Sequence, residues 1–146
     1  MALVIDVNSY IVVVDADTYF TDRVFCDEWF ALATEEIKSK YLVTAFNLLE
    51  NSFIWFYNKT DSAQAQEFPR NDETSVPQKI KDAQCEITLL LIKNQADLER
   101  PDKVMKHDKI TIQTDYMGRF NDVITSLLDE YGQEKTVQIV TLDIYR

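Results

Sequence analysis

Two long patterns of apolar residues constrain the fold of this chain more than any other feature. The first pattern starts at Thr34 and the second at Pro77, and each repeats at three- and four-residue steps that place its members on one helix face. The members are Ile37, Tyr41, Ala45, Leu48, Leu49 and Ser52, then Ile80, Ala83, Ile87, Leu90 and Leu91. Thr34 can cap the first helix, and Pro77 suits the first position of the second. We therefore expect a core built on two packed helices.

Composition agrees with one folded domain. The chain has 146 residues, of which 46% are hydrophobic, and it contains only 2 Gly and 3 Pro. That length buries a sizeable core, and that apolar content is too high for a disordered chain. No apolar run reaches the length of a membrane span, so no membrane contact is expected. The start, Met1 to Val14, lacks a basic segment and carries Asp6, which argues against a secretory signal.

Shorter elements are expected before and after the first long helix. Residues 2–6 and 10–14 are β-branched runs that predict short strands around a turn at Asn8-Ser9. Asp15 is predicted to cap a helix over residues 16–25. The expected inward residues of that helix are Tyr19, Phe20 and Val24, and a further apolar cluster is expected from Trp29, Phe30 and Leu32. An aromatic run, Phe53 to Tyr57, ends the long helix, and residues 58–75 are predicted to form a loop.

The last third of the chain predicts a connector, a strand, a helix and an arm. Residues 98–108 are charged, residues 110–116 alternate like a strand, and residues 118–131 predict a helix. The expected inner residues of that helix are Phe120, Val123, Ile124, Leu127 and Leu128. Residues 137–146 are β-prone, so we expect an extended C-terminal arm that either packs on its own domain or adds a strand to a neighbour. The expected fold is mainly α, a small helical bundle with short β-strand elements, with a helical domain over 1–136 and the arm over 137–146.

Net charge limits the classes of partner. The chain has 15 basic and 25 acidic residues, a formal charge of −10. Proteins that grip a nucleic-acid backbone cluster Lys and Arg, because phosphate neutralisation supplies most of the affinity. The basic residues here are dispersed, so general nucleic-acid binding is not expected.

No combination of residues predicts catalysis, a metal site or a cofactor. Asp15, Asp17 and Asp22 are explained by a helix N-terminus with a solvated face. His107 is the single histidine and has no nucleophile to serve. Cys26 and Cys85 lie far apart without metal-ligand spacing, which favours buried free thiols. We therefore expect a protein that is not an enzyme.

The aromatic residues in the middle of the chain admit two interpretations. Trp55, Phe56, Tyr57 and Phe68 are of the type that stacks nucleic-acid bases. Such stacking surfaces lie in basic grooves, whereas Lys59 and Arg70 are the only nearby cations. Packing in the core or at a subunit interface is therefore favoured. Arg70 either orders the loop through a carboxylate or a carbonyl, or is a plain surface residue.

Several separated motifs, taken in order, resemble those of a known family. The motifs are Asn8-Ser9-Tyr10, Ala16-Asp17, Tyr19-Phe20, Trp55, Phe68-Pro69-Arg70, Pro77, Ile80-Lys81, Ala83, Cys85-Glu86, residues 110–116, and Leu127-Leu128 with Tyr131. In this order and spacing the chain resembles the small helical head–tail connectors, or adaptors, of the necks of tailed bacteriophages. Some members of that family are labelled DnaT-like single-stranded-DNA-binding proteins. The family's basic C-terminal residues are reduced here to Arg146.

The resemblance implies a structural role in the virion neck, after synthesis in the host cytoplasm. Such adaptors form a ring, commonly of twelve copies, that binds the portal protein on one side and a tail, stopper or terminator protein on the other. Double-stranded DNA passes through as cargo, and no cofactor is implied. The interface residues predicted on this basis are Trp55, Phe68, Arg70, Val140, Leu142, Ile144, Tyr145 and Arg146. The alternatives are a replication accessory that binds single-stranded DNA and a tail-completion subunit.

Overall fold

The two predicted long helices form the centre of the molecule. The structure, a computed structural model, describes residues 2–93, 115–117, 120–135 and 137–139. Helix α3 spans Glu35–Ser52 and helix α4 spans Gln78–Lys93, and these two helices pack against each other. The hydroxyl of Thr34 accepts a hydrogen bond from the amide of Ile37 at 3.2 Å, which confirms the predicted cap of α3. Pro77 was predicted at the first helical position, but α4 begins one residue later at Gln78. The Pro77 carbonyl accepts a hydrogen bond from the amide N–H of Ile80 at 3.1 Å.

Helices α3 and α4 contribute to two apolar clusters. The larger cluster contains Ala45, Phe46 and Leu49 of α3 with Ile80, Ala83 and Ile87 of α4. The second cluster contains Leu42 of α3, Cys85 and Leu89 of α4, and residues from the first part of the chain such as Phe20 and Trp29. Leu42 and Phe46 are buried although the predicted stripe named Tyr41 and Leu48, which are only partly buried. The buried face of α3 is therefore rotated slightly from the predicted one.

Residues 2–30 contain two helices and neither of the two predicted strands. Helix α1 spans Val13–Thr21 and helix α2 spans Asp27–Phe30. The predicted strands over residues 2–6 and 10–14 are wrong: the segment contains an isolated bridge between Ile5 and Ser9, and α1 already begins at Val13. Asp15 is not the cap but lies in the first turn of α1, where its negative charge suits the helix dipole.

Burial in this segment follows the prediction only in part. Phe20 and Trp29 are fully buried, as expected. Val24 was expected inside but is 72% exposed, because α1 ends at Thr21 and Val24 lies in the following turn. Phe30, assigned to the inner cluster, is also half exposed.

Short antiparallel strand pairs complete the described fold. Strand β1, Phe53–Trp55, pairs with β3, Gly132–Glu134, and strand β2, Asp115–Met117, pairs with β4, Val137–Ile139. Helix α5 spans Asp122–Leu128, shorter than predicted, and is capped by Asn121. Its residues Ile124 and Leu128 are buried, whereas Val123 points outward, contrary to the prediction.

The predictions for the C-terminal arm are only partly within the described residues. The first strand of the arm, β4, pairs with β2 of its own chain. Val140, Leu142, Ile144, Tyr145 and Arg146 lie outside the described residues, as does the whole connector over 98–108 with His107. Among the helices that the structure describes, none has both the length and the apolar character needed to cross a membrane. The described residues thus form a mainly α fold with small antiparallel strand pairs.

Candidate functional site

The separated sequence motifs meet around a fully buried glutamine on α4. The Gln84 side-chain oxygen accepts the amide N–H of Tyr10 at 2.9 Å. Its side-chain nitrogen donates to Ser9 Oγ at 2.8 Å and to the Leu42 carbonyl at 2.9 Å. One amide therefore ties the N-terminal motif to both long helices, and we call this arrangement the Gln84 junction.

Tyr10 extends the junction toward the central loop. Its hydroxyl donates to Glu50 Oε1 and accepts the amide N–H of Phe68, which lies 3.1 Å away. The other oxygen of Glu50 accepts the amide N–H of Glu67 at 2.9 Å. Burial raises the pKa of the Glu50 carboxyl above its ordinary value, and burial together with the neighbouring Glu50 raises the pKa of the Tyr10 hydroxyl.

A second buried carboxylate connects α4 to α1. Glu86 is 4% exposed and accepts a hydrogen bond from the Tyr19 hydroxyl at 2.5 Å. Arg23 Nη2 lies 2.5 Å from the same Glu86 oxygen and compensates its charge. Burial, followed by the hydrogen bond to Glu86, raises the pKa of the Tyr19 hydroxyl. A buried acid that is paired in this way joins two elements and is not available for acid–base chemistry.

Arg70 orders the chain around it, which confirms one of the two interpretations of this residue. Its Nε donates to the carbonyls of Phe56 and Tyr57 at 2.9 and 3.1 Å. Its Nη1 lies 2.5 Å from a Glu67 carboxylate oxygen, and Nη2 donates to the Tyr57 carbonyl. The planar guanidinium satisfies several acceptors at once. Arg70 thus holds the two ends of the 58–70 loop together.

Of the four aromatic side chains of the middle segment, one is buried, one is half-buried and two are exposed. Phe68 is 2% exposed, and Trp55 is half-buried with its ring 4.8 Å from that of Phe68. The Phe68 ring packs inside its own chain, and its predicted interface role stays a prediction. Phe56 and Tyr57 are 41% and 59% exposed and are the members of the group that a base could reach.

Most of the described basic side chains are paired with a carboxylate. The structure describes nine of the fifteen basic residues, and seven of these lie within 4.0 Å of a carboxylate. The pairs are Arg23–Glu86, Lys38–Asp17, Lys40–Glu36, Lys59–Glu67, Arg70–Glu67, Lys79–Glu130 and Lys93–Glu28. Cations that are paired in this way leave little unbalanced positive charge for phosphates.

The acidic residues of α1 have different surroundings. Asp17 accepts the indole N–H of Trp29 and the ammonium of Lys38, both at 2.7 Å, so it is structural rather than simply solvated. Asp15 and Asp22 line an open cleft beside α1. Within the described ranges, no group of His, Cys, Asp and Glu side chains could hold a metal ion.

The two cysteines are buried free thiols, as predicted. Cys26 packs in the second cluster beside α2, and Cys85 is fully buried on α4. Burial raises the pKa of the Cys85 thiol, which disfavours the reactive thiolate.

Sequence reasoning missed the role of Gln84 and Glu86. Both lie on the predicted polar side of α4, where polar residues normally face solvent. Residues 83–89 are in fact buried all round, because α1 and α2 cover the side of α4 that α3 leaves open. The available signal was the short stretch from Ala83 to Glu86 that formed part of the family resemblance.

The fold and the site define a small, acidic, mainly α protein whose separated sequence motifs build a polar junction in the core. A family model matches residues 2–140, and its family is described as "Putative DnaT-like ssDNA binding protein". The chain belongs to this DnaT-like family. No curated protein and no solved structure matches the chain.

Proposed function

We propose that the protein is a structural subunit of a phage virion, a head–tail adaptor that joins a ring of copies between portal and tail. The observation that carries the proposal is the pairing of seven of the nine described basic side chains with carboxylates on an acidic protein. A subunit of this kind contacts proteins and lets DNA slide past, because a negative surface repels the duplex. The order of the sequence motifs, which resembles that of head–tail connectors, supports the same proposal.

Exposed apolar side chains also favour protein partners. Among the exposed apolar side chains of the described residues, two groups lie at the ends of the α3–α4 pair: Val24, Phe25 and Phe30 at one end, and Ile54, Phe56 and Tyr57 at the other. The first group lies near the start of α3, where Lys38 approaches the Phe30 ring, and the second follows the end of α3. Apolar groups on opposite ends of a subunit suit contacts with different partners.

A second candidate function is single-stranded-DNA binding, and the description of the matching family favours it. The exposed rings of Phe56 and Tyr57, with Lys59 close by in sequence, are the described residues best suited to stack bases. The charge opposes this candidate, since Lys59 and Arg70 both pair with Glu67.

Mixing the purified protein with a purified portal ring from the same phage tests the first candidate. Electron microscopy is expected to find an added ring of density on one portal face. A titration with fluorescent oligo(dT), at several salt concentrations, tests the second candidate on the same preparation.

The two results separate the candidates. Portal rings without added density contradict the adaptor proposal. Oligo(dT) binding that weakens steeply with salt supports the replication-accessory candidate, because counterion release produces such a slope. A Phe56→Ser, Tyr57→Ser variant that retains full oligo(dT) affinity would exclude these rings as the stacking surface.

A further inference from the structure

The turn between α1 and α2 displays two apolar side chains on a firmly held backbone. Val24 is 72% exposed and Phe25 is 82% exposed. Beneath them, the Cys26 sulfur is buried and lies 3.0 Å from the Phe20 carbonyl oxygen, and the ammonium of Lys93 donates to the Phe25 carbonyl. Two large apolar groups therefore face solvent from a turn that is tied to α1 and α4.

An open cleft adjoins this turn. It has a volume of about 370 Å³ and is lined by Asp15, Thr18, Tyr19, Asp22, Arg23 and Gln78. The Arg23 guanidinium forms an ion pair with the buried Glu86. Among the described residues, no Lys or Arg lies within ion-pair distance of Asp15 or Asp22. The cleft therefore presents two uncompensated carboxylates next to the Val24–Phe25 surface.

We propose that the cleft and the adjoining turn form one docking surface for a basic, partly apolar segment of a partner protein. A Lys or Arg side chain of that segment enters the cleft toward Asp15 and Asp22, and a neighbouring apolar side chain packs on Val24 and Phe25. Charge complementarity selects this occupant: the cleft repels an acidic segment, a nucleic acid, and a second copy of this −10 chain. The inference deepens the proposed function, because it names a surface through which the subunit meets a protein.

Amide NMR of the ¹⁵N-labelled protein tests the docking surface with synthetic octapeptides. The probe alternates Arg and Leu, and the controls alternate Glu and Leu or Arg and Gly. The Arg-Leu peptide is expected to shift the amides of the cleft and of residues 22–25. Shifts confined to other regions, or equal shifts with the Arg-Gly peptide, would overturn the proposal.

Two matched pairs of variants sharpen the test. Phe25 and Tyr57 both have a left-handed backbone, with φ of 60° and 56°, which Asn tolerates well. Phe25→Asn is expected to lower the affinity for the Arg-Leu peptide about tenfold, as loss of a central aromatic contact does. Tyr57→Asn is expected to leave this affinity unchanged. Asp15→Asn with Asp22→Asn is expected to act like Phe25→Asn. Asp61→Asn with Asp72→Asn alters net charge equally and is expected to have little effect; equal weakening by this pair would contradict a local site.

Portal binding in the microscopy experiment distinguishes the two proposals from each other. Portal rings that bind the wild type and the Phe25→Asn variant equally would reject the docking surface while leaving the adaptor role intact. Failure of the wild type to bind portal, together with local shifts by the Arg-Leu peptide, would reject the adaptor role alone. If oligo(dT) shifts the cleft amides, the docking surface binds single-stranded DNA and the proposal of a protein partner is rejected.

Discussion

At the scale of single residues, buried polar side chains determine how the separated motifs meet. Gln84 makes three hydrogen bonds that connect the N-terminal motif with α3 and α4. The interior around it is apolar, so each of its partners would lose its hydrogen bond without access to water. The geometry of the junction thus depends on one amide more than on any single apolar contact.

Replacing that amide tests the junction directly. Gln84→Ala is expected to lower the free energy of unfolding by about 3 kcal/mol, because it leaves buried partners unsatisfied and opens a cavity. Gln78→Ala, an exposed change on the same helix, is expected to stay within about 0.5 kcal/mol. Urea unfolding measures both values. Similar values for the two variants would show that the junction does not stabilise the fold.

The partly buried Glu50 predicts a pH dependence with a definite sign. Burial raises its folded-state pKa, so between the ordinary value near 4.5 and the raised value the folded protein binds more protons than the unfolded chain. The contribution of Glu50 to stability is therefore fully present below that window and falls as the pH rises through it. The difference in unfolding free energy, wild type minus Glu50→Gln, is expected to shrink as the pH rises above the ordinary value near 4.5.

Glu36 serves as a control, because its contribution to stability changes with pH in the opposite direction. Its hydrogen bond to Lys40 lowers its pKa, so its contribution is present at neutral pH and is lost as the pH falls through the lowered value. Solvent exposure makes this effect small. A wild-type minus Glu50→Gln difference that grows with pH, in the same direction as that for Glu36→Gln, would contradict the raised pKa of Glu50.

At the scale of elements, the loop after β1 depends on Arg70. Lys keeps the charge but loses the guanidinium fork that reaches the carbonyls of Phe56 and Tyr57 together with Glu67. In Arg70→Lys, the rate at which a protease cleaves within residues 58–70 is expected to rise several-fold, because local opening becomes more frequent. Lys81→Arg, a surface change on α4, serves as the control. Unchanged cleavage in Arg70→Lys would mean that other contacts order the loop.

The pairing of β1 with β3 depends on the absence of a side chain at Gly132. A Cβ at this position would lie 2.7 Å from a Trp55 ring carbon and 2.9 Å from the Ile54 carbonyl oxygen. Gly132→Ala is expected to cost about 1–3 kcal/mol of stability through this overlap and to alter Trp55 fluorescence. Gln133→Ala, the exposed neighbour on the same strand, is expected to change neither. If Gly132→Ala changes neither the stability nor the Trp55 fluorescence, the indole moves aside freely.

The elements that could be predicted from the sequence are those whose signals are local. The start of α3 follows from the Thr34 side chain and α4 from its apolar spacing and Pro77. The N-terminal segment was mispredicted because the β-branched run Ile11–Val14 favours a strand, whereas its residues Ile11 and Val13 are buried in the second cluster at the start of a helix. Phe25 has a left-handed backbone, and its carbonyl accepts a hydrogen bond from the Lys93 ammonium, a long-range contact that no local pattern contains.

At the scale of the whole molecule, the candidate site could be predicted only in outline. The charge of −10 and the few cations near the central aromatic residues already argued against nucleic-acid contact, whereas the sequence left the role of Arg70 open. The docking surface could not be foreseen, because the cleft brings Gln78 of α4 beside residues of α1. Long-range packing, rather than a motif, creates that surface.

The same long-range packing makes the two apolar clusters one cooperative unit. The chain has two tryptophans: Trp29 is buried in the second cluster, and Trp55 packs against the larger one. Because α3 and α4 run through both clusters, loss of either cluster removes the support of the other. Single-tryptophan variants, Trp29→Phe and Trp55→Phe, therefore report on different clusters of one structure. In each variant the fluorescence midpoint in urea is expected to coincide with the midpoint measured by circular dichroism.

A cavity placed in one cluster extends the test to the other. Leu42→Ala removes a fully buried side chain from the second cluster and is expected to cost about 2–5 kcal/mol. Added to the Trp29→Phe background, it leaves Trp55 as the reporter, far from the new cavity. The Trp55 midpoint is expected to fall together with the circular dichroism midpoint, because unfolding is shared. A Trp55 transition that stays in place while the helical signal shifts would divide the molecule into two independently unfolding parts.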